Sequence, residues 1–450
     1  MKYISTRGEA PVLGFADVLL TGLARDGGLY VPEALPPLPP SDARPYAWQA
    51  ADIMRPFVEE SLDRVAFASL VRDAYAAFDH ADVCPLVELD EGVWLLELFH
   101  GPTLAFKDVA LQLVGRLFDH ELEHRNERAT IVVATSGDTG SAAIDACVGR
   151  ARLDIVVLHP AGRVSDVQRR MMTTVYAPNV HNVAIDGTFD DCQDLVKAMF
   201  ADEAFRDRLR LSAMNSINWA RVMAQIVYYA WVGDRVGPCA VAVPTGNFGN
   251  VLSGWYARRM GAPIERLVIG TNSNDILSRW IDTGVLEQRP VTATLSPAMD
   301  IQVSSNHERL LFELLDRDGD RTAALMDEFR RTGSVEAPRD PVFVGARVTD
   351  DETIEEIGAV YRGHGYVMDP HTAVGLRAAW AAGLLGGDLP VVCLGTAHPA
   401  KFPDAVERAT GVRPALPERL ADLLDRQERC TDLPNDLAAV QRFVEAVTST

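Results

Sequence analysis

"TIVVATSGDTGSAAIDACVG" (residues 130–149) passes from an apolar run, through a turn with two glycines and three hydroxyl residues, into a segment with helical spacing of its apolar positions. Residues 131–134 offer no polar side chain to solvent, as expected of a strand buried on both faces in a parallel sheet. The same order of strand, polar turn and amphipathic helix recurs in "LDIVVLHPAGRVSDVQRRMM", "VHNVAIDGTFDDCQDLVKAMF", "CAVAVPTGNFGNVLSGWYARRM", "RLVIGTNSNDILSRWI" and "PVVCLGTAHPAKFPDAVERA". An α/β fold follows, with helices covering mostly parallel sheets and ligands expected beyond the carboxyl ends of the strands.

Outward from this core the chain divides into three stretches. Residues 1–88 read as a mostly helical N-terminal module, with the Pro-rich "PEALPPLPPSDARP" ahead of an amphipathic pattern. Residues 89–235 and 236–450 form the two α/β stretches, in keeping with the ~2–3 domains expected of this length. Between Thr283 and Asp351 the pattern blurs, and "RDGDRTAALMDEFRRTGSVEAPRDP" reads as surface decoration.

Composition narrows the function. The 450 residues are 48% hydrophobic and 24% charged, with a formal net charge of −20 spread along the chain, which argues against a nucleic-acid partner. No apolar run approaches a membrane span, and Asp17 interrupts the only apolar candidate near the N-terminus, so a soluble, unexported protein is expected. The six cysteines form no CxxC and the histidines no metal-like spacing, so reduced thiols, no metal and a cytoplasmic location are expected.

Three turns have the composition of ligand loops. "TSGDTG" (Thr135–Gly140) opens a helix, where free N–H groups and the dipole favour a carboxylate or phosphate; alone it reads equally as a capped βα turn. "PTGNFGN" (Pro244–Asn250) sits likewise, with Gly246 and Gly249 permitting close backbone approach and Asn247 and Asn250 adding amide donors. It is neither a dinucleotide fingerprint nor a nucleotide-triphosphate loop. "LGTAHPAKF" (Leu394–Phe402) offers Thr396, His398 and Lys401 after a third buried strand.

Lys107, in "ELFHGPTLAFKDVALQLVGRLF" (residues 97–118), is the sharpest candidate. It stands where a helix begins, among apolar residues, and both burial and the helix dipole disfavour an ammonium there. A lysine pushed toward neutrality suits nucleophilic and proton-transfer chemistry.

With these loops on the page, the chain resembles the fold-type II pyridoxal-phosphate enzymes, and within them the threonine synthase family in its longer form. The blocks run almost end to end: "YISTRGEAP", "GLARDGGLYVP", "ELFHGPTLAFKD", "TSGDTGSAAI", "PAGRVSDVQ", "DGTFDDCQ", "NSINWAR", "PTGNFGN", "MDIQVSSNHERLL" and "LGTAHPAKFPDAV". The resemblance implies a tryptophan synthase β-like fold with two open, mostly parallel sheets. It also implies that Lys107 bonds covalently to pyridoxal 5'-phosphate, that Gly246, Asn247, Phe248, Gly249 and Asn250 hold the cofactor phosphate, and that Thr396 meets the pyridine nitrogen. Ser136, Gly137, Asp138 and Thr139 would take the substrate carboxylate. Thr188, Gln193, Asn215 and Asn218, with a basic residue of "VSDVQRR", would lie toward the substrate phosphate.

One departure stands out: relatives in the wider group carry Asn where this chain has Asp138, and a carboxylate cannot donate as an amide does. The implied reaction converts O-phospho-L-homoserine and water to L-threonine and phosphate, in a monomer or weak homo-oligomer. Dehydration of serine or threonine, β-replacement, and an anion-binding module without catalysis are the alternatives.

Overall fold

The computed structural model describes residues 1–41 and 43–448. A six-stranded sheet runs in the order Phe343–Arg347, Ile264–Thr271, Cys239–Pro244, Val391–Gly395, Val93–Glu97 and Leu86–Asp90; all neighbours are parallel except the last pair. A five-stranded, wholly parallel sheet runs Thr431–Pro434, Val180–Asp186, Leu153–Pro160, Ala129–Ala134 and Leu211–Ser212. Each of the six expected strand–turn–helix units is present.

Strand alternation shows how these sheets are stacked. Ile131, Val133, Ile155 and Val157 of the smaller sheet join Val241, Val243, Leu267 and Ile269 of the larger in one apolar cluster, together with the helices Lys107–Arg125 and Trp219–Val236. The intervening residues Val132, Val156 and Val183 pack instead under Phe189–Ala201 and Leu437–Val447, and Ala240, Ala242 and Val268 under Pro370–Ala381. Helices therefore cover both faces of both sheets, which is why these strands read as unbroken apolar runs.

Sheet membership crosses the sequential division at residue 235. Strand Val93–Glu97 belongs to the larger sheet, beside Val391–Gly395, and Thr431–Pro434 returns to edge the smaller one. The physical reason is that parallel neighbours need not be close in sequence, since any long crossover joins them. The N-terminal stretch holds three helices (Phe15–Thr21, Tyr46–Val58 and Arg64–Tyr75) and also a three-stranded antiparallel sheet of Lys2–Ser5, Leu13–Gly14 and Tyr30–Pro32 that the helical pattern did not announce. Within the blurred stretch, Gly319–Thr332 is a largely exposed helix, but Phe343–Arg347 is the edge of the larger sheet.

Candidate active site

The helix of Lys107 begins at that residue. Its start is held from within: Asp108, in the first turn, accepts from Thr103 N at 2.8 Å and Thr103 Oγ1 at 2.6 Å. Gly101 permits this, because a Cβ there would lie 2.4 Å from that of Asp108. The segment is then pinned to the third ligand loop through Phe106 N to Thr396 O at 2.9 Å, which brings Lys107 beside Thr396. Lys107 is 8% exposed, and its ammonium donates to Asp138 Oδ2 at 3.2 Å.

Asp138 stands at the first turn of Asp138–Cys147, and its other oxygen meets Lys401 Nζ at 2.7 Å and Gln168 Nε2 at 2.8 Å. Burial pushes the Asp138 carboxyl up, but Lys401, Lys107 and Gln168 outweigh it and hold the group well below the usual carboxylate range. For Lys107 burial is the largest influence and pulls the amine down; Asp138 opposes this, while Lys401 and Arg221 add to it. Burial also raises Asp108, to about 7. The sequence thus anticipated the lowered amine, though not its partners.

In "TSGDTG" the Thr135 hydroxyl accepts from Gly137 N and Gly140 N, both at 2.9 Å, and so fixes the turn. Gly137 has φ +143°, and a Cβ there would lie 2.6 Å from Gln168. Ser136 and Thr139 are half-buried, and among the described residues no protein group engages either hydroxyl. Two free hydroxyls beside a helix N-terminus make a seat for a carboxylate.

"PTGNFGN" forms a second seat. None of the N–H groups of Gly246, Asn247, Phe248, Gly249 and Asn250 has a protein acceptor among the described residues. Phe248 lies in the left-handed region (φ 66°) at the entry to the helix Gly249–Met260, a costly conformation for a bulky residue that turns successive N–H groups to one side. Its ring packs edge-on against His307 at 4.9 Å. Asn250 is buried; its Oδ1 accepts from Tyr228 and Tyr229 at 2.5 and 2.9 Å, whereas its Nδ2 has no partner among the described residues. "MDIQVSSNHERLL" braces the loop from behind: Ser304 donates to Gly246 O at 2.7 Å, and Asn306 to Asn247 O at 3.2 Å. A side chain at Gly246 would come within 2.6 Å of Ala298 O. Thr396 is buried, and among the described residues its hydroxyl is likewise free.

The third feature was not singled out in the sequence. Arg221, on the buried helix Trp219–Val236, has no carboxylate partner among the described residues, one long bond to Met214 O at 3.4 Å and a buried Nε without an acceptor. Burial pulls this guanidinium down to about 10, so it stays charged at neutral pH. Arg309, equally buried, is different: it donates to Tyr30 O, Ile217 O and Asn306 Oδ1. Lys107 and Lys401 therefore share one clearly ionised carboxylate, Asp138, with Arg221 close enough to act on Lys107, and the imbalance favours anionic ligands. The available signal was a lone cation within "WARVMAQIVYYAWV", on a helix with no polar face there.

The remaining expected residues are dispersed. Thr188 caps Phe189–Ala201 in a reciprocal box with Asp191, two strands from the Asp138 loop, or ~10 Å along the sheet edge. Gln193 lies on that helix, half-buried. Asn215 accepts from Ile217 N at 3.3 Å. Asn218 is fully buried and its amide is occupied, donating to Leu19 O at 2.8 Å and capping Ala220 N at 3.0 Å, so it holds the segment together. In "VSDVQRR" the residue that reaches the site is Gln168; Arg169 and Arg170 turn instead to Glu428, because the chain from 416 to 429 packs along that helix.

Comparison with known proteins bears on all of this. Residues 79–397 match the family described as pyridoxal-phosphate dependent enzyme, residues 2–75 the threonine synthase N terminus, and residues 372–444 the threonine synthase C-terminal region. The chain is 52% identical to a Pseudomonas aeruginosa protein named threonine synthase, over 99% of this chain and 98% of that one. It is similar to the crystal structure of the pyridoxal-phosphate-bound threonine synthase from Brucella melitensis (TM-score 0.96, 50% identity, 100% of both chains). The yeast threonine synthase structure gives a TM-score of 0.92 at 37% identity, over 99% of this chain and 98% of that one.

Proposed function

The chain belongs to the threonine synthase family, and from that premise we propose that it converts O-phospho-L-homoserine and water to L-threonine and phosphate, using pyridoxal 5'-phosphate. The observation that carries this reading is the joining, around one buried lysine, of two separate anion seats and an unpaired guanidinium. The residues suit the cofactor: five free N–H groups and the orphan Nδ2 of Asn250 match a phosphate monoester, Lys107 is a buried amine, and the Thr396 hydroxyl is free for the pyridine nitrogen. Bound there, pyridoxal phosphate supplies an electron sink for charge developing at the substrate's α-carbon.

The chain's own groups do the rest. Ser136, Gly137, Asp138 and Thr139 orient the substrate, the two hydroxyls and the helix N-terminus taking its carboxylate. Lys107 Nζ, held low by burial, takes the proton from Cα and then one from Cβ; the γ-phosphate leaves with one of these, and the other returns to Cγ once the Cγ–O bond has broken. Arg221 holds that phosphate in a region closed to water, where a guanidinium counts for most. Asn215, in the same "NSINWAR" segment as Arg221, is assigned to the same phosphate, while Asn218, its amide occupied, fixes the segment. Water then adds across Cα and Cβ, its hydroxyl on Cβ and its proton on Cα, giving threonine.

Among the described residues no helix is long and apolar enough to cross a membrane, and all six cysteines are unpaired. Free thiols suit a reducing compartment and so a cytoplasmic enzyme, and the net charge of −20 suits a monomeric or weakly self-associating protein without a nucleic-acid partner. The test is to supply the cofactor-loaded protein with O-phospho-L-homoserine and measure both products. Phosphate and threonine appearing in equal amounts supports the assignment. Phosphate accompanied by a 2-oxo acid instead moves it to a simple elimination.

A further inference from the structure

The chain has four lysines against 39 arginines; Lys2 and Lys197 lie on the surface, and Lys107 and Lys401 are both buried at one carboxylate. Lys401 is 0% exposed, and among the described residues its ammonium has two acceptors, Asp138 Oδ1 at 2.7 Å and Thr103 O at 2.8 Å. It arrives on the short turn Pro399–Lys401, which His398 caps at Ala400 N (3.2 Å). The bond to Thr103 ties it to the loop that starts the Lys107 helix. A compact ammonium suits a position shared between one carboxylate oxygen and one carbonyl.

We propose that Lys401 is a positioning residue whose ammonium keeps Asp138 ionised and turned toward Lys107 whatever the charge on Lys107 itself. Lys107 must lose its proton to act as a nucleophile and as a base. If it were the only cation near Asp138, that loss would leave a buried carboxylate unpaired, and the pair would hold the proton between them. With Lys401 on the opposite oxygen, Asp138 keeps a cation throughout, and Gln168 fixes the same oxygen. Lys107 then changes charge against a constant background. The other charged and titratable groups facing this cluster are Arg221 from Trp219–Val236, Asp108 from the helix of Lys107, with Asp145 beyond it, and His398 on the turn of Lys401.

The inference rests on Lys107 being the cofactor lysine, and the experiment separates the two. The visible band of the cofactor-loaded protein, without substrate, is titrated with pH in the wild type, Lys401→Met, Asp138→Asn and the double variant. Removing a neighbouring positive charge stabilises the protonated form of the Lys107 nitrogen, so Lys401→Met raises the midpoint by about one pH unit or more. Asp138→Asn lowers it, and the double variant returns toward wild type. Lys401→Gln keeps a donor for Thr103 without the charge, shifts the midpoint upward too, and replaces Lys401→Met if that variant does not fold. A loss of packing alone leaves the midpoint where it was. An unmoved or lowered midpoint in both Lys401 variants overturns the proposal while leaving Lys107 in place; a wild type with no band overturns the Lys107 reading and this proposal with it.

Discussion

Lys107 was legible because an ammonium at a buried helix start violates two rules at once, and the structure keeps both violations: the residue is 8% exposed and opens its helix. Its partners were not legible, because they come from residues 31, 114 and 294 positions away, and a single chain carries no sign of such contacts. Arg221 is the clearest of these. Since its guanidinium lacks a carboxylate partner among the described residues, removing it strands no buried carboxylate there, and the loss falls on the ligand. Arg221→Met is expected to reduce kcat/KM for O-phospho-L-homoserine by ~10²-fold, as for the loss of a charge-assisted contact, with Arg221→Lys recovering part of it. Equal losses with a substrate that lacks the phosphate would count against its role.

At the scale of elements, the strand–turn–helix pattern located the turns Thr135–Gly140 and Pro244–Asn250, because apolar runs and glycine-rich turns are local signals. What they missed is the bracing. The left-handed Phe248 is held by His307 and by Ser304 and Asn306 behind the loop, contacts that join segments some sixty residues apart. Asn250 allows the seat to be tested apart from this scaffold. Asn250→Asp keeps an acceptor for Tyr228 and Tyr229 but puts a negative charge where the orphan Nδ2 donates. Cofactor affinity measured by fluorescence titration should fall ~10-fold or more, with little change in Tm. Unchanged affinity would show that the N–H groups bind the phosphate without this residue.

At the scale of the molecule, the sequence yielded two α/β stretches and a terminal module, but not how the ends return. The N-terminal sheet is bolted to the site's scaffold by buried groups: Arg7 donates to Glu308 at 3.0 and 2.9 Å, Thr6 adds a bond at 2.7 Å, and the next residue, Arg309, holds Tyr30 O and the Asn306 that braces the Pro244–Asn250 loop. Glu308→Gln takes the buried carboxylate from the Arg7 guanidinium and leaves the exposed Asp327, 4.0 Å away, as a weaker partner, for which a loss of ~3–5 kcal/mol in urea unfolding is expected. Because Asn306 lies two residues away, cofactor affinity should weaken in parallel. A loss below ~1 kcal/mol would mean that Arg7 finds water or Asp327 instead.

The whole account turns on which lysine carries the cofactor, and with only four in the chain this is directly readable. The loaded protein is reduced with borohydride, digested and mapped by mass. The cofactor's added mass is expected on the peptide containing Lys107 and on no other. Label on Lys401, which shares the same carboxylate, would exchange the roles of the two buried lysines and contradict it, as would the absence of label from both.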